Sequence, residues 1–391
     1  MKILKYFLSL CLVLGLLVNL TGCPQTAQEG DNKKAKGMVY YSFFDTVSYV
    51  YSYSGDTQED FEANCNEVSE ILDKYHKLFN IYYDFAGVTN LKTINDNAGG
   101  EPFKVDSELI DFLLYAKELY TLTNGEMNIM MGAVLRPWHD ARTNKSFEGL
   151  YCEYCGRFSA AEDCVDGKCP QSDPDHPGDE AKKCQRPVVT FEYAIEKGSK
   201  HISFESLEID PVNNTVRITD PEASIDVGAL GKGYATEMAA QHLKNKNVNG
   251  YVLNIGGNIR IVGTKTDGTG WLTGIKDPKA PNERYASYIT IANTSCVTSG
   301  DYERFFSVGG KQYHHIIDKD TGLPAEYFSS VTIITENSGL ADCLSTALFC
   351  MSYEDGLELV SSLKNVDVLW IFPNGEMKMT DGYKSLVTER N

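Results

Sequence analysis

The chain has no excess of positive charge, no apolar run long enough to span a bilayer, and neither common nucleotide-binding signature. Each absence removes a class of function. Lys and Arg total 36 against 54 Asp and Glu, giving a formal net charge of −18 at pH 7. That balance repels nucleic acid phosphates and anionic lipid surfaces, so a nucleic acid partner is not expected. The most apolar run, Tyr6 to Val18, falls short of the roughly 20 residues a spanning helix needs. Around Lys232 the phosphate loop G-x-x-x-x-G-K-[ST] fails because position 226 is Asp and position 233 is Gly, and G-x-G-x-x-G fails as well.

What the N-terminus does contain is an export signal. Lys2 and Lys5 precede the apolar run, which ends in Leu20-Thr21-Gly22-Cys23. The small residues before the cysteine are similar to the bacterial lipoprotein box, so residues 1–22 are expected to be a signal peptide and Cys23 the lipidated residue. Residues 23–37 are polar and poor in large apolar side chains, as in a flexible tether. The expected location is therefore outside the cytoplasm, anchored by lipid to the outer face of the cytoplasmic membrane or the periplasmic side of an envelope membrane. Apolar residues make up 42% of the chain, enough for a substantial core.

Beyond the tether, Met38 to Tyr53 has the Tyr, Phe, Val and Thr content of a strand pair. Helical periodicity follows over Asp60–Leu78 and Ser107–Tyr120, the second stopping at Thr123-Asn124-Gly125. Strand patterns then occupy 202–209, 215–218, 251–255, 259–262, 271–275, 288–291, 330–335 and 368–372. Helices are expected over 234–244, 340–351 and 353–363. Strand follows strand more often than strand alternates with helix, which predicts an α+β fold with a largely antiparallel sheet and packed helices.

Two segments carry the chemistry. Ser224 to Tyr234, SIDVGALGKGY, places Asp226 and Lys232 around glycines that let the backbone approach a ligand, ahead of a helix whose first amides suit an anion. Ala341 to Leu348, ADCLSTAL, sets Asp342 and Thr346 four apart on one helix face, an oxygen pair suited to Mg²⁺. Together they read as a diphosphate site with a divalent metal. A third cluster runs through Thr298-Ser299-Gly300-Asp301 and His314-His315-Ile316-Ile317-Asp318. Adjacent histidines on a strand point to opposite faces, so at most one of them serves the site.

Five ordered blocks, SIDVGALGKGYA, YVLNIGGNI, VTSGDYERFF, HHIIDKDTGLP and ADCLSTALF, resemble the signature blocks of the ApbE family of FAD:protein FMN transferases. The resemblance spans about residues 38–138 and 188–385. It implies cleavage of the FAD diphosphate, release of AMP and phosphoester attachment of FMN to a Thr or Ser of an exported or membrane redox protein. By position, Asp226 and Lys232 would contact FAD. Mg²⁺ would be held by the Ala229 carbonyl, Asp342 and Thr346, with Ser345 nearby, and His315 would be the general base or substrate orienter. Phe44, Tyr82, Glu126, Met127 and Asn128 fall where the family lines its flavin and adenosine pockets, although the family usually has Asp at 128 and Met at 44. Two other readings use the same residues: an FAD pyrophosphatase giving FMN and AMP, and a lipid-anchored flavin-binding protein without catalysis.

Residues 139–187 differ from the rest, with five cysteines and few large aliphatics, and are expected to be an insertion into the 38–391 domain. Cys152-x-x-Cys155-Gly has the form of a zinc knuckle, with Cys164 and Cys169 as the other candidate ligands and His176 as a substitute. Export favours disulfides instead, so zinc, disulfides, iron and free thiols all stay open from sequence.

Overall fold

The computed structural model describes residues 35–176 and 182–389. The expected signal peptide, the lipidation site Cys23 and the tether up to residue 34 lie outside the described residues. Among the described residues, no helix is long and apolar enough to cross a membrane.

An eight-stranded sheet forms the frame. Its strands are β1 (Lys36–Phe43), β2 (Thr46–Ser52), β3 (Tyr251–Ile255), β4 (Asn258–Val262), β5 (Ser295–Gly300), β6 (Ser330–Thr335), β7 (Asp367–Ile371) and β8 (Met377–Met379). They lie side by side in chain order, and every neighbouring pair is antiparallel. The alternation along β3, with Tyr251, Leu253 and Ile255 buried, gives one face to the main core. β6 is buried at all six positions because elements cover both of its faces.

Five helices position or brace the site: α1 (Gln58–Leu78), α2 (Ser107–Leu122), α3 (Gly132–Asn144), α4 (Gly231–Asn245) and α5 (Ser338–Phe349). α1 and α2 form where the apolar periodicity places them, each opened by a side-chain cap, Thr57 accepting from Asp60 N and Asp106 from Glu108 N. α4 begins at Gly231 rather than Tyr234, so Lys232 and Gly233 stand in its first turn. Gly233 is required there. A Cβ on it would lie 2.4 Å from Asp342 Cβ and 2.5 Å from the Ser338 carbonyl, so only glycine lets α4 and α5 approach this closely.

A buried ion pair locks the same helices to the sheet. Arg260 on β4 is fully buried, and its Nε donates to Glu237 Oε2 on α4 at 3.0 Å. That oxygen also accepts the Ser338 backbone N–H at 2.8 Å, at the start of α5. One carboxylate thus fixes the spacing of α4, α5 and β4.

The cysteine-rich segment starts later than its composition suggests. Residues 139–144 are the last turns of α3, whose apolar face, including Val134, Trp138 and Ala141, is buried. The helix escapes detection because Pro137 sits inside it and its outer face is polar. The inserted segment carries its own small sheet, Leu150–Cys152 paired with both Arg157–Ser159 and Val189–Thr190.

Candidate functional site

The site gathers where the turn before α4, the middle of α5, the end of β5 and the segment after the Lys311–His314 strand meet. Asp342, 4% exposed on α5, accepts the Gly233 N–H at Oδ2 over 2.8 Å. In an uninterrupted helix that N–H would donate to the Ala229 carbonyl four residues back. Turning it onto Asp342 frees the Ala229 carbonyl of that bond. Lys232 Nζ stands 3.7 Å from Asp342 Oδ2 and donates to the Gly228 carbonyl at 3.2 Å.

Thr346 lies one turn beyond Asp342. Ser299, from β5, bonds to Ser345 Oγ at 2.8 Å and approaches Thr346 Oγ1 at 3.4 Å, while Ser345 Oγ donates to the Asp342 carbonyl at 2.9 Å. The donor set offered to an ion is therefore a carboxylate, a hydroxyl and a backbone carbonyl, all oxygen, which fits Mg²⁺ and leaves positions for water and a phosphate. The residues present fit that ion.

Asp226 occupies the tight turn before α4. Its Oδ1 accepts the Gly228 N–H at 2.8 Å, and its Oδ2 lies 3.8 Å from His139 Nδ1. Tyr82 OH is 2.9 Å from the same His139 nitrogen. Burial, reinforced by the charge of Asp226, pushes the Tyr82 hydroxyl up to about 12. Tyr82 therefore keeps its proton near pH 7. Burial also holds His139 below its ordinary value against the pull of Asp226.

His315 follows the hairpin of Phe305–Val308 and Lys311–His314. Its Nδ1–H donates to the Arg304 carbonyl at 3.2 Å, which fixes the tautomer and leaves the Nε2 lone pair free. Burial, then the charges of Arg304, Arg142 and Lys232, lower its pKa to about 3, so the ring is neutral near pH 7. Burial and the charge of Arg304 likewise hold Arg142 below its ordinary value. Three cations thus crowd one neutral imidazole, an arrangement that an anion would relieve. His314 points the other way, its Nε2–H donating to the Ala325 carbonyl at 2.9 Å and its Nδ1 accepting the Ile316 N–H at 3.2 Å. With both nitrogens engaged, His314 is a structural residue.

Asp226, Lys232, Ala229, His315, Asp342, Thr346 and Tyr82 are thus brought to one region. The other sequence candidates make contacts of their own. Phe44 sits in the left-handed region at φ 53° with its N–H donating to His76 Nδ1, its ring edge-on to that imidazole. Glu126 pairs with Lys319 at 3.3 Å. Met127 is 1% exposed in the main core, so its side chain lines no cleft. Asn128 uses both ends of its amide on backbone, donating to the Ile202 carbonyl and accepting from Met130 N.

Sequence reasoning missed His139, Arg142 and Arg304. The first two lie on α3 inside the range assigned to the insertion; Arg304 lies within VTSGDYERFF, where its residue type and place in a signature block were the available signal. The cysteine candidates also need correction. Cys164 does not join the other three, its Sγ donating instead to the Ala160 carbonyl at 3.4 Å. A short turn at Val165–Gly167, with Asp166 and Gly167 at positive φ, separates it from Cys169. Cys184 takes its place beside Cys152, Cys155 and Cys169.

The fold and the site define an α+β protein built to hold an anionic ligand between a cationic cluster and an oxygen-ligand pair. The ApbE family profile matches residues 44–370, and the chain belongs to that family. It is 28% identical to the FAD:protein FMN transferase of Treponema pallidum over 346 residues, 86% of this chain and 84% of the relative. The protein of the same name from Vibrio cholerae is 25% identical over 378 residues, 95% of this chain and 94% of the relative. Among solved structures, the ApbE protein of Thermotoga maritima superposes with a TM-score of 0.70 at 25% identity, covering 91% of this chain and 100% of that one. The flavin transferase ApbE of Vibrio cholerae shares the fold at TM-score 0.66 and 21% identity, covering 90% of this chain and 100% of that one.

Proposed function

We propose that this protein transfers FMN from FAD to a Thr or Ser hydroxyl of a target protein, releasing AMP, with Mg²⁺ held by Asp342, Thr346 and the Ala229 carbonyl. The observation that carries the reading is the opposition of Lys232, Arg142 and Arg304 to a neutral His315 beside the Asp342–Thr346 oxygen set. Its support from relatives is their shared name and near-complete coverage.

The FAD diphosphate carries two negative charges, which repel an incoming hydroxyl oxygen. Lys232, Arg142 and Arg304 offset that charge from fixed positions, so little reorganisation is needed as the bond forms. A bound divalent ion would add Lewis-acid neutralisation of the phosphate oxygens. His315 Nε2 is the proton acceptor for the attacking hydroxyl. Without substrate its basicity is suppressed by burial first and by the neighbouring cations second, and a diphosphate among them would offset the second contribution, raising its basicity when substrate is present. The hydroxyl oxygen then bonds to the FMN-side phosphorus, the bond to the bridging oxygen breaks, and AMP departs with that oxygen.

The expected setting is an exported, lipid-anchored protein acting on exported or membrane redox proteins, as the N-terminal signal and Cys23 suggest. Intact-mass spectrometry tests the reaction: a threonine-containing FMN-binding domain, incubated with the chain lacking residues 1–23, FAD and Mg²⁺, should gain one FMN less water. Release of free FMN and AMP without an adduct on a competent acceptor would make the protein a pyrophosphatase. Unchanged FAD would make it a carrier.

A further inference from the structure

The inserted segment brings four cysteine sulfurs together from three places in the chain. Cys152 and Cys155 span a tight turn closed by the Gly156 N–H donating to the Cys152 carbonyl at 2.9 Å. Cys169 and Cys184 face each other across a hairpin, in which Cys169 N donates to the Arg186 carbonyl, Gln185 N to the Cys169 carbonyl and Cys184 N to the Gln171 carbonyl. All four sulfurs lie within 4.8 Å of one another. Cys152 and Cys169 are fully buried, and Cys184 is 7% exposed.

The spacing separates metal from disulfides. Cys152 and Cys184 sulfurs are 3.7 Å apart, and Cys155 and Cys169 sulfurs 3.5 Å. A disulfide needs about 2.05 Å. Four thiolates around one ion at a metal–sulfur distance of about 2.3 Å have tetrahedral edges of about 3.8 Å. The observed pairs match the tetrahedron. Lys168, Lys183 and Arg186 adjoin the cysteines in sequence and offset the charge that four thiolates would leave on a divalent ion.

We propose that Cys152, Cys155, Cys169 and Cys184 bind one tetrahedral divalent metal ion, Zn²⁺, in a closed structural site that fixes the position of α3. The turn of the first cysteine pair rests on that helix. Tyr151 OH donates to Asp140 Oδ2 at 2.6 Å, and Asn144 Nδ2 donates to the Gly156 carbonyl at 2.9 Å. A Cβ on Gly156 would fall 2.8 Å from the Asp140 carboxylate, so glycine is what permits this contact. Asp140 is next to His139 and two positions from Arg142, the residues α3 contributes to the site. Binding is closed because the protein supplies all four ligands, leaving no open position for chemistry.

The test is metal analysis of the full chain, isolated in detergent without chelator under anaerobic conditions. One zinc per chain is expected, retained in Cys164→Ser and lost in Cys184→Ser. Iron at one per chain would uphold the tetrathiolate site and replace zinc as its ion. If Cys184→Ser fails to fold, titrating the native chain with a mercurial should release the ion as four thiols react, and Co²⁺ substituted into the site should show tetrahedral thiolate bands. Metal-free protein with Cys152–Cys184 and Cys155–Cys169 disulfides would overturn the proposal. So would loss of the ion from Cys164→Ser with retention in Cys184→Ser. The coupling to α3 has its own readout: removing the ion should raise the KM for FAD with a smaller change in kcat, and equal kcat and KM with and without it would refute the positioning role.

Discussion

Replacing Asp342 separately by asparagine and by alanine divides two roles that one carboxylate performs. Its Oδ2 satisfies the Gly233 N–H at 2.8 Å, and its negative charge faces Lys232 and the proposed ion position. Asparagine keeps an acceptor oxygen for the Gly233 N–H but removes the charge. Alanine removes both and leaves that N–H buried at the α4–α5 contact. An orphaned buried donor costs about 1–3 kcal/mol. Asp342→Ala should therefore lose about that much stability in urea unfolding, and Asp342→Asn less than half of it. Activity should follow charge rather than stability. Losing the carboxylate that would hold the phosphate-neutralising ion is expected to cost at least about 10²-fold in kcat, by analogy with single electrostatic contacts in other active sites. The assay is FMN incorporation into an acceptor domain, measured by flavin fluorescence of the denatured product across a Mg²⁺ series. Both variants should fall together in transfer while separating in stability. Near-native transfer by Asp342→Asn at limiting Mg²⁺ would refute the ligand assignment, and native stability in Asp342→Ala would refute the hydrogen-bond argument.

Glu237→Ala would leave fully buried Arg260 with only the more distant Glu336 carboxylate, at 3.9 Å, and should cost up to about 3–5 kcal/mol in denaturant unfolding, whereas Glu237→Gln keeps an acceptor and should cost less. Gly233→Ala would drive a methyl to 2.4 Å from Asp342 Cβ and should lose about 1–3 kcal/mol, with a parallel loss of transfer. His315→Ala should lower kcat by about 10²- to 10⁴-fold. Because the free-enzyme pKa of His315 is lowered to about 3, kcat/KM should show no inflection from it between pH 5 and 8, while kcat should show an acid limb that disappears in His315→Ala. The same depression means this histidine's contribution to folding is complete above its ordinary value near 6.5 and is lost as pH falls toward 3. Arg142→Met should raise the KM for FAD several-fold, detectable by equilibrium dialysis of FAD as well as by kinetics.

Much of this arrangement was legible because local signals agreed with the fold. The strands around Tyr251, Ile259, Ser330 and Val368 alternate or run apolar as the sheet requires, and tight links make the β1–β2, β3–β4 and β7–β8 pairs antiparallel hairpins. Asp342, Thr346, Asp226 and Lys232 declared themselves by residue type and spacing. α3 did not, because Pro137 and a polar outer face break its pattern, and with it His139 and Arg142 were assigned to the wrong segment. Met127 was misplaced for the opposite reason: position in a motif says nothing about which way a side chain turns. The fourth cysteine was likewise beyond sequence, since the hairpin pairing Cys169 with Cys184 brings together residues that spacing alone sets apart.

The charge distribution explains how an acidic protein can serve an anionic substrate. The whole chain carries −18, which at long range opposes FAD. At physiological ionic strength such fields decay over about 8 Å, so the distant carboxylates are mostly hidden from a ligand in the cleft. Lys232, Arg142 and Arg304 are within reach of one imidazole and are not hidden. Burial first and neighbouring positive charge second hold Arg142 and His315 below their ordinary pKa values, and the fold sets both before any ligand arrives. On the proposed reading, a diphosphate entering the cluster would offset the positive charge there and raise the basicity of His315. On that reading binding and activation are electrostatically coupled. That coupling depends on α3 standing where it does, which is why a cysteine cluster braced against Asp140 and Asn144 belongs to the catalytic argument even though none of its atoms reaches the site.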